Sequence, residues 1–299
     1  MAHVLPTLRQ LQFFAALAHR RSFSKAADDC LVSQSTLSAA IKELEGILGG
    51  ALVDRSTRRF ALTARGDRAL ARAHDVLAQA DALVREAHEV APLTGPFRLG
   101  MIPTIGPFLI PFATPAIRAA FPRLELKLRE GLTADLLDAL QSGAIDAAVM
   151  AFPYPAPGVE HIVLGEDPFY LVCHREHPLA AADEITLDDL KSDELLLLED
   201  GHCLREHALS ACRLRAPDVA TAFGAVSLFT LFQMVGSGLG VTLAPKLAIE
   251  AGAAAGANLV LKPFADPAPS RTVGLAWRSG SSREEEVAAL ADVLKPAFS

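Results

Sequence analysis

Two cysteines stand nine positions apart in the stretch GHCLREHALSAC, in a chain that has only four cysteines. The first, Cys203, follows Gly201 at the predicted start of a helix and precedes Arg205 by two positions. Positive potential at a helix start and near a guanidinium lowers the pKa of a thiol and favours its thiolate. A thiolate can attack the O–O bond of a peroxide and become a sulfenic acid, which a second thiol converts to a disulfide. Cys212 is the nearest second thiol.

Two other interpretations of these cysteines stay open at this point. Free cysteines are most often small buried hydrophobic residues, and the segment around this pair is apolar. Together with His202 and His207 the pair could also bind zinc, but the spacing matches no standard zinc signature. Cys30 and Cys173 lie in a predicted helix and a predicted strand, and we expect them to be core residues only.

Length and composition indicate a soluble globular protein with two or three cores. The chain has 299 residues, of which 51% are hydrophobic and 21% are charged. The first twenty residues lack the pattern of a secretory signal, and no apolar run approaches the roughly 20 residues that span a bilayer. We therefore expect a cytoplasmic protein, in which a reducing environment keeps casual cysteines as thiols.

The charge of the chain is unevenly distributed. Up to Arg65, nine basic residues outnumber five acidic ones, which gives a balance of +4, whereas the whole chain carries −7 and the remainder therefore carries −11. This asymmetry is typical of a nucleic-acid-binding end joined to an acidic body.

The spacing in the basic end predicts a winged helix-turn-helix. Thr7 and Gln10 form a possible capping box for a first helix, and Ser22 or Ser24 and then Ser33 can cap two more. The stretch ALVDRSTRRFALT reads as two short strands around a basic turn that can lie along phosphates. A small three-helix domain with a solvated face is the alternative. The residues predicted to contact DNA are Gln34, Ser35, Thr36, Ser38 and Lys42 in the third helix and Arg55, Arg58 and Arg59 in the turn.

A long helix is predicted after Thr63, because no proline or glycine occurs between Asp67 and Ala91. Its apolar residues alternate spacings of three and four, which is typical of a helix that pairs with another helix. A helix that lies on its own domain is the alternative. The residues of this seam are Leu70, Ala73, Leu77, Ala80, Val84 and Ala87, widened by Val76, Leu83 and Val90.

Beyond the hinge-like APLTGP, strands and helices alternate, which predicts an α/β domain with a parallel sheet and two lobes around a cleft. The predicted domains are residues 1–65 (DNA binding), 66–90 (linker and dimerisation helix) and 91–299 (effector domain), with one lobe at about 91–167 and 271–299 and the other at about 168–270.

The segment SFSKAADDCLVSQSTLSAAIKELEGILGGALVDRSTRRFALTARG resembles the winged helix-turn-helix of LysR-type transcriptional regulators. The rest resembles their linker helix and two-lobed, periplasmic-binding-protein-like effector domain, so the resemblance covers essentially the whole chain. Within that family, MIPTIGPFLIP, EDGHCLREHALSAC and RTVGLAWR are similar to the peroxide-sensing OxyR branch, which detects hydrogen peroxide and controls antioxidant genes.

This resemblance implies a role for each residue that matches the branch. It implies a peroxidatic Cys203, a resolving Cys212, two threonines that hold peroxide or water (Thr104 and Thr133), and further pocket residues His202, Arg205 and Arg271. Glu206 and His207 stand where aspartate and glutamine are commoner, which puts the reaction rate and the switching threshold in doubt. Ser35 replaces the usual proline at the start of the recognition helix, so operator preference cannot be transferred.

The resemblance also implies partners. These are double-stranded operator DNA, RNA polymerase, thiol reductants of the glutaredoxin or thioredoxin type, and further copies of the chain in a dimer of dimers. It implies a regulator and not an enzyme, without cofactor or metal. A regulator that binds a small anion in the cleft would need no cysteine, and a thiol peroxidase would leave the helix-turn-helix unexplained.

The spacing of the two cysteines sets a geometric condition on a disulfide between them. If LREHALSAC is helical, nine positions at about 1.5 Å each place the two backbones some 13 Å apart. A disulfide needs Cα atoms within roughly 7 Å of each other. We therefore expect the segment to unwind after Cys203 is oxidised, so that Leu204, Leu209 and Ala211 repack on a lobe surface.

Overall fold

The computed structural model of the chain describes residues 4–54, 60–87, 91–191, 194–211, 224–255 and 258–299. The chain divides into two units, the first ending at Ala91 and the second containing almost all of the chain from Pro92 onward. Within the described ranges, none of the helices combines the length and the apolar composition needed to span a bilayer.

Three helices and a two-stranded sheet open the first unit. They are α1 (Leu8–Arg20), α2 (Phe23–Asp29), α3 (Gln34–Ile47), β1 (Val53–Asp54) and β2 (Ala61–Leu62). The sequence-based helix starts are confirmed: Thr7 and Gln10 form a capping box, and the Ser22 and Ser33 side chains accept from backbone N–H groups of their helices. The turn between β1 and β2, which contains Arg55, Arg58 and Arg59, lies outside the described residues.

The apolar face of α3 packs into the core of the first unit. Leu37, Ile41 and Leu44 are fully buried there, whereas Leu48, which the spacing also places inside, is only half-buried. Lys42 and the polar residues at the start of α3 are turned away from this core. The helix therefore has the two faces that the sequence predicts.

The apolar stripe of the long helix α4 (Ala64–Ala87) has a part that packs in the core and a part that is exposed. Ala73 is buried in the core of the first unit, and Leu70 and Leu77 pack partly against the same core. Val76, Leu83 and Val84 remain exposed. The first half of the predicted seam thus stabilises its own domain. The exposed residues Val76, Leu83 and Val84 form what we call the α4 apolar face.

A mixed sheet runs through the second unit. Its strands are β3 (Gly95–Met101), β4 (Leu124–Glu130), β5 (Ala147–Phe152), β6 (Val159–His174), β7 (Thr242–Pro245), β8 (Leu259–Pro263) and β9 (Ser270–Arg278). The strand order is β4-β3-β5-β9-β6-β7, with β8 also paired to β6. Among these strands, β3 pairs in parallel with β4 and β5, whereas β9 pairs antiparallel with β5 and β6. The expectation of a parallel sheet is therefore correct for three strands and wrong for the rest.

Several helices accompany this sheet in the second unit. They are α5 (Gly106–Ala120), α6 (Thr133–Gln141), α7 (Cys203–Ala211), α8 (Leu228–Gly236), α9 (Lys246–Glu250) and α10 (Glu284–Leu294).

Two apolar cores form along the sixteen-residue strand β6. Its first part, from Val159 to Pro168, pairs with β9 beside the first core, which contains Phe97, Leu99 and the β5 strand. Its second part pairs with β7 and β8 beside the second core, which contains the four leucines at 195–198. We refer to the elements around these cores as lobe 1 and lobe 2.

Two helical glycines in the first unit provide a matched stability test. A Cβ at Gly66 would lie 2.1 Å from the Leu52 carbonyl oxygen, whereas a Cβ at Gly46 meets nothing within 4 Å. We expect Gly66→Ala to lower the free energy of unfolding by about 1–3 kcal/mol through this clash. Gly46→Ala should raise it by about 0.5–1 kcal/mol, because alanine loses less conformational entropy in a helix. Denaturant unfolding with hydrogen exchange of α3 and α4 measures both, and equal effects of the two variants would contradict the packing described.

Candidate functional site

Cys203 is the first residue of α7 and is only 4% exposed. Its side chain belongs to the core of lobe 1, whereas Leu204, Ala208 and Leu209 of the same helix belong to the core of lobe 2. The predicted helix is thus confirmed as far as Ala211, and it is anchored in both lobes. Cys212 lies outside the described residues.

A small pocket opens beside Cys203. About 150 Å³ of non-atom space, including what is open to solvent, lies among residues from three chain segments, and it leaves essentially no enclosed room for a water-sized molecule in this conformation. Two segments follow β3 and β4, and they meet because the carboxyl ends of parallel strands lie at one edge of a sheet. The third is the turn before α7, where Gly201 has a φ of +94°, a conformation that favours glycine. The lining residues are Ile102, Pro103, Thr104, Leu132, Thr133, Gly201, His202 and Cys203.

Burial raises the pKa of the Cys203 thiol, and this is the largest influence on it. The Arg271 charge, the Thr133 hydroxyl and the backbone N–H groups of Cys203 and Leu204 act in the opposite direction. The lowered pKa expected from the sequence is therefore wrong for this conformation, in which the protonated thiol predominates. The helix start and a nearby cation favour the thiolate, but the cost of burying an anion is larger than both.

Arg271 is the buried cation of the site. Its Nε and Nη2 atoms donate to Asp167 Oδ2 at 3.1 and 2.9 Å, and its Nη1 atom donates to Thr104 Oγ1 at 2.8 Å. Its Nη2 atom also donates to the Thr104 carbonyl at 3.0 Å. Since the Thr104 hydroxyl accepts from Arg271, its own proton is available to an acceptor in the pocket.

Asp167 is a site residue that the sequence analysis missed. Both its side chain and that of Arg271 are almost fully buried, and it also accepts from the Leu247 N–H at 3.0 Å. A buried guanidinium needs such a partner, because an unpaired charge in a protein interior is costly. Asp167 faces Arg271 across the β6–β9 pair, so only the strand register reveals the pairing.

Arg205 does not line the thiol pocket, in which the resemblance predicts it. Its Nε atom lies 2.9 Å from the exposed Asp200 carboxylate, and its Nη1 atom donates to the Leu198 carbonyl at 3.3 Å. It lines a different small cavity, with Leu204 and Ala208. The cation that acts on Cys203 is Arg271, at the other end of the sequence.

Thr133 and His202 lie where the sequence predicts, at the thiol pocket. Apart from its interaction with the thiol, the buried Thr133 hydroxyl has no hydrogen-bond partner among the described residues. Burial lowers the pKa of His202, while the charges of Glu199 and Glu130 raise it. His202 is therefore mainly neutral at pH 7 and adds little positive charge beside the thiol, and its buried Nδ1 atom has no hydrogen-bond partner among the described residues.

The two remaining described cysteines lie outside this site. Cys173 is fully buried in the core of lobe 2, and Cys30 is half-buried beside the core of the first unit. Burial raises the pKa of both thiols. Both positions agree with the packing role expected from the sequence.

The predicted DNA-contacting residues of α3 form one polar surface. Gln34, Ser35, Thr36 and Lys42 are exposed, and Ser38 is half-buried. The Ser33 hydroxyl at the helix cap lies 2.8 Å from that of Ser35 and 2.7 Å from that of Thr36. This surface presents short donors and acceptors, which suit the edges of bases in a major groove.

Both units match known protein families. Residues 8–67 match the bacterial regulatory helix-turn-helix proteins of the lysR family, and residues 91–299 match the LysR substrate binding domain. The chain is 42% identical over 295 residues to a "Probable hydrogen peroxide-inducible genes activator" of Streptomyces viridosporus, covering 98% of this chain and 95% of that relative. It is 38% identical over 292 residues to the "HTH-type transcriptional regulator EstR" of Acinetobacter baylyi, covering 97% of both.

The fold also matches a solved structure over nearly its whole length. A full-length OxyR variant from Pseudomonas aeruginosa, with one cysteine changed to aspartate, has a TM-score of 0.85 and 34% sequence identity, covering 98% of this chain and 95% of that one. On these matches, the chain belongs to the LysR family of bacterial transcriptional regulators.

Proposed function

We propose that this chain is a hydrogen-peroxide-sensing transcriptional regulator of antioxidant genes. In this proposal the first unit binds operator DNA, peroxide oxidises Cys203, and a reversible disulfide with Cys212 switches the protein. The observation that carries the proposal is the position of Cys203, which begins a helix anchored in both lobes and lies in a pocket beside Arg271 and two threonines. The name of the Streptomyces viridosporus relative, a probable hydrogen peroxide-inducible genes activator, supports the same function.

The groups around Cys203 suit attack on a peroxide. The Cys203 thiolate attacks one oxygen of H₂O₂, so that an S–O bond forms and the O–O bond breaks. The sulfur becomes a sulfenic acid, and the other oxygen leaves as hydroxide, which takes up a proton to become water. The Thr104 hydroxyl can donate to a peroxide oxygen, while Arg271 and Thr133 favour the thiolate. The thiol of Cys212 then attacks the sulfenic sulfur, which forms the disulfide and releases a second water.

The helical geometry of α7 requires a rearrangement before that disulfide can form. The Cα atoms of Cys203 and Ala211 are about 12 Å apart in an α-helix, because each residue adds about 1.5 Å. One further step along the chain adds or removes at most about 3.8 Å, so an intact helix leaves more than the roughly 7 Å that a disulfide allows. Formation of the bond therefore requires α7 to unwind, which disturbs the packing of Leu204, Ala208 and Leu209 in lobe 2.

This refolding can change how effector domains meet one another. Such a change would alter the spacing of the DNA-binding units and the contact with RNA polymerase, which is a two-state switch set by one bond. Thiol reductants of the glutaredoxin or thioredoxin type would return the disulfide to thiols in the cytoplasm. The α4 apolar face supports pairing of two chains, and a dimer of dimers is the assembly that we propose.

A specific observation favours a second candidate function. The 38%-identical relative EstR carries no reference to peroxide in its name. A LysR-type regulator that binds a small anion in the cleft between the lobes would keep the DNA-binding unit and would need neither thiol. Its response to a ligand would survive removal of both cysteines.

Substitution of each cysteine separates these candidates. Cys203→Ser should abolish the effect of peroxide on operator binding and transcription. Cys212→Ser should still form a sulfenic acid at Cys203, detected with a dimedone-type reagent, but should switch poorly or over-oxidise. Cys173→Ala is the control and should respond as the unmodified chain does. A normal peroxide response of the Cys203→Ser variant would refute the proposal.

The buried position of Cys203 predicts an unusual pH dependence. Because burial raises its pKa, the thiolate fraction should grow about tenfold per pH unit from pH 6 to about 8.5, the ordinary value for a cysteine. The rate at which peroxide oxidises Cys203 in the Cys212→Ser variant should rise with the same slope, as stopped-flow kinetics can measure. A rate that levels off at or below pH 7 would mean that the reacting thiol is not the buried one described.

The α4 apolar face predicts how the oligomer can be broken. Leu83→Asp places a charge on this face and should dissociate paired chains, because burying an unpaired carboxylate is costly. Ala71→Asp adds the same charge to an exposed position on another side of α4 and is the control. Sedimentation should show a smaller species for the first variant only, and an unchanged oligomer in the Leu83→Asp variant would exclude this face as the interface.

A further inference from the structure

His207 connects α7 to lobe 1 one helical turn beyond Cys203. Residues four apart lie on one face of a helix, so the thiol and the imidazole point to the same side of α7. His207 is 8% exposed, and its Nε2 atom lies 3.2 Å from the carbonyl oxygen of Pro153, which follows β5. A carbonyl only accepts hydrogen bonds, so Nε2 carries the proton and donates it.

The opposite attachment of α7 is apolar. Leu204, Ala208 and Leu209 are buried in the core of lobe 2. The helix is therefore held in lobe 2 by side-chain packing, and in lobe 1 by the buried thiol and by the hydrogen bond of His207. Oxidation converts the thiol of the first lobe 1 attachment into a sulfenic acid. The hydrogen bond of His207 is the second lobe 1 attachment, and it must break, together with the packing in lobe 2, before α7 is released.

We propose that His207 is a positioning residue that keeps α7 helical through its hydrogen bond to Pro153, and that protonation of its ring favours release of the helix. This inference rests on the proposed function, because release of α7 is the step that allows the disulfide to form. It assigns to His207 control over how readily the oxidised protein switches.

The surroundings of the ring disfavour its protonated form while α7 is in place. Burial, the largest influence, lowers the pKa of His207; the Pro153 carbonyl raises it, the charge of Arg271 on β9 lowers it, and that of Glu206 raises it. A second proton would reside on Nδ1, which is buried and has no hydrogen-bond partner among the described residues. Protonation would thus add a buried donor without an acceptor, next to a guanidinium.

The sign of the pH effect follows from these surroundings. Once released into water, the ring regains its ordinary pKa of about 6.5. Between the lowered and the ordinary value the released state binds more protons, so the helix is most stable above about pH 6.5 and loses stability as the pH falls. One proton can change the opening equilibrium of α7 by at most about tenfold per pH unit.

His202 must be controlled for, because burial lowers its pKa as well. It lies immediately before α7 and is acted on by Glu199 and Glu130. If opening of α7 exposed the His202 ring to water, that ring would take up a proton in the same pH range as His207. The variants for the test therefore all carry His202→Gln, so that the pH dependence of the helix opening reports on His207.

Hydrogen exchange of α7 in the reduced full-length protein tests the inference. Protection of residues 204–211 is measured from pH 5.5 to 8 and corrected for the intrinsic exchange rates. In the His202→Gln background, opening should be constant above pH 7 and should increase as the pH falls below about 6.5. His207→Gln can still donate to Pro153 but does not titrate, so its opening should match the background at pH 8 and should stay constant with pH. His207→Ala should open about fivefold more at pH 8, the effect of one lost hydrogen bond.

Two results would overturn the assignment. One is a His207→Ala variant with unchanged opening at pH 8, and the other is a His207→Gln variant that keeps the pH dependence of its background. The measurement needs neither peroxide nor Cys212. If the protein fails to respond to peroxide but shows the expected exchange pattern, the proposed function is wrong and the role of His207 in holding α7 still stands.

A second readout connects His207 to the switch itself. At pH 8, after one equivalent of H₂O₂, conversion of the sulfenic acid to the disulfide should be about fivefold faster in His207→Ala, if helix release precedes bond formation. An unchanged rate in that variant would remove His207 from the switching step.

Discussion

The rise of an α-helix is the constraint on which the account depends. A helix of nine residues, from Cys203 to Ala211, separates its ends by about 12 Å, and a disulfide tolerates only about 7 Å between Cα atoms. Helical structure in α7 and a bond between Cys203 and Cys212 therefore exclude each other. Oxidation of one sulfur atom can therefore decide whether a short segment is helical or unwound. Such a change in conformation can alter contacts elsewhere in a protein.

The location of α7 explains why this choice has structural consequences. Its residues contribute to two cores, so unwinding the helix removes buried groups from both lobes. The site beneath it is held by the buried pair of Arg271 and Asp167, which connects β9, β6 and the segment after β3 through Thr104. The buried pair thus ties β9, β6 and the segment after β3 together beside the thiol, whereas the side chains of α7 are divided between the two cores.

Local sequence patterns predicted much of this structure, and the failures have a common physical cause. Helix caps such as Thr7 and Ser33, the start of α7 at Cys203 and the inward residues of α3 depend on neighbours within a few positions. The Arg271–Asp167 pair depends on the register of β9 against β6, which no local pattern contains. The burial of Cys203 is likewise absent from local patterns. Arg205 is close to Cys203 in sequence, but in the fold it contacts Asp200 and the Leu198 carbonyl. The fold also encloses the thiol, so that the pKa of Cys203 is raised and not lowered. The apolar stripe of α4 was recognised, but only the fold shows which half is used by its own domain.

Peptide mass analysis combined with hydrogen exchange, before and after peroxide treatment, tests the central claim most directly. The account predicts that a Cys203–Cys212 disulfide appears together with a loss of protection across residues 204–211, and that both changes reverse when a thiol reductant is added. A confirmed disulfide with unchanged protection of α7 would contradict the account.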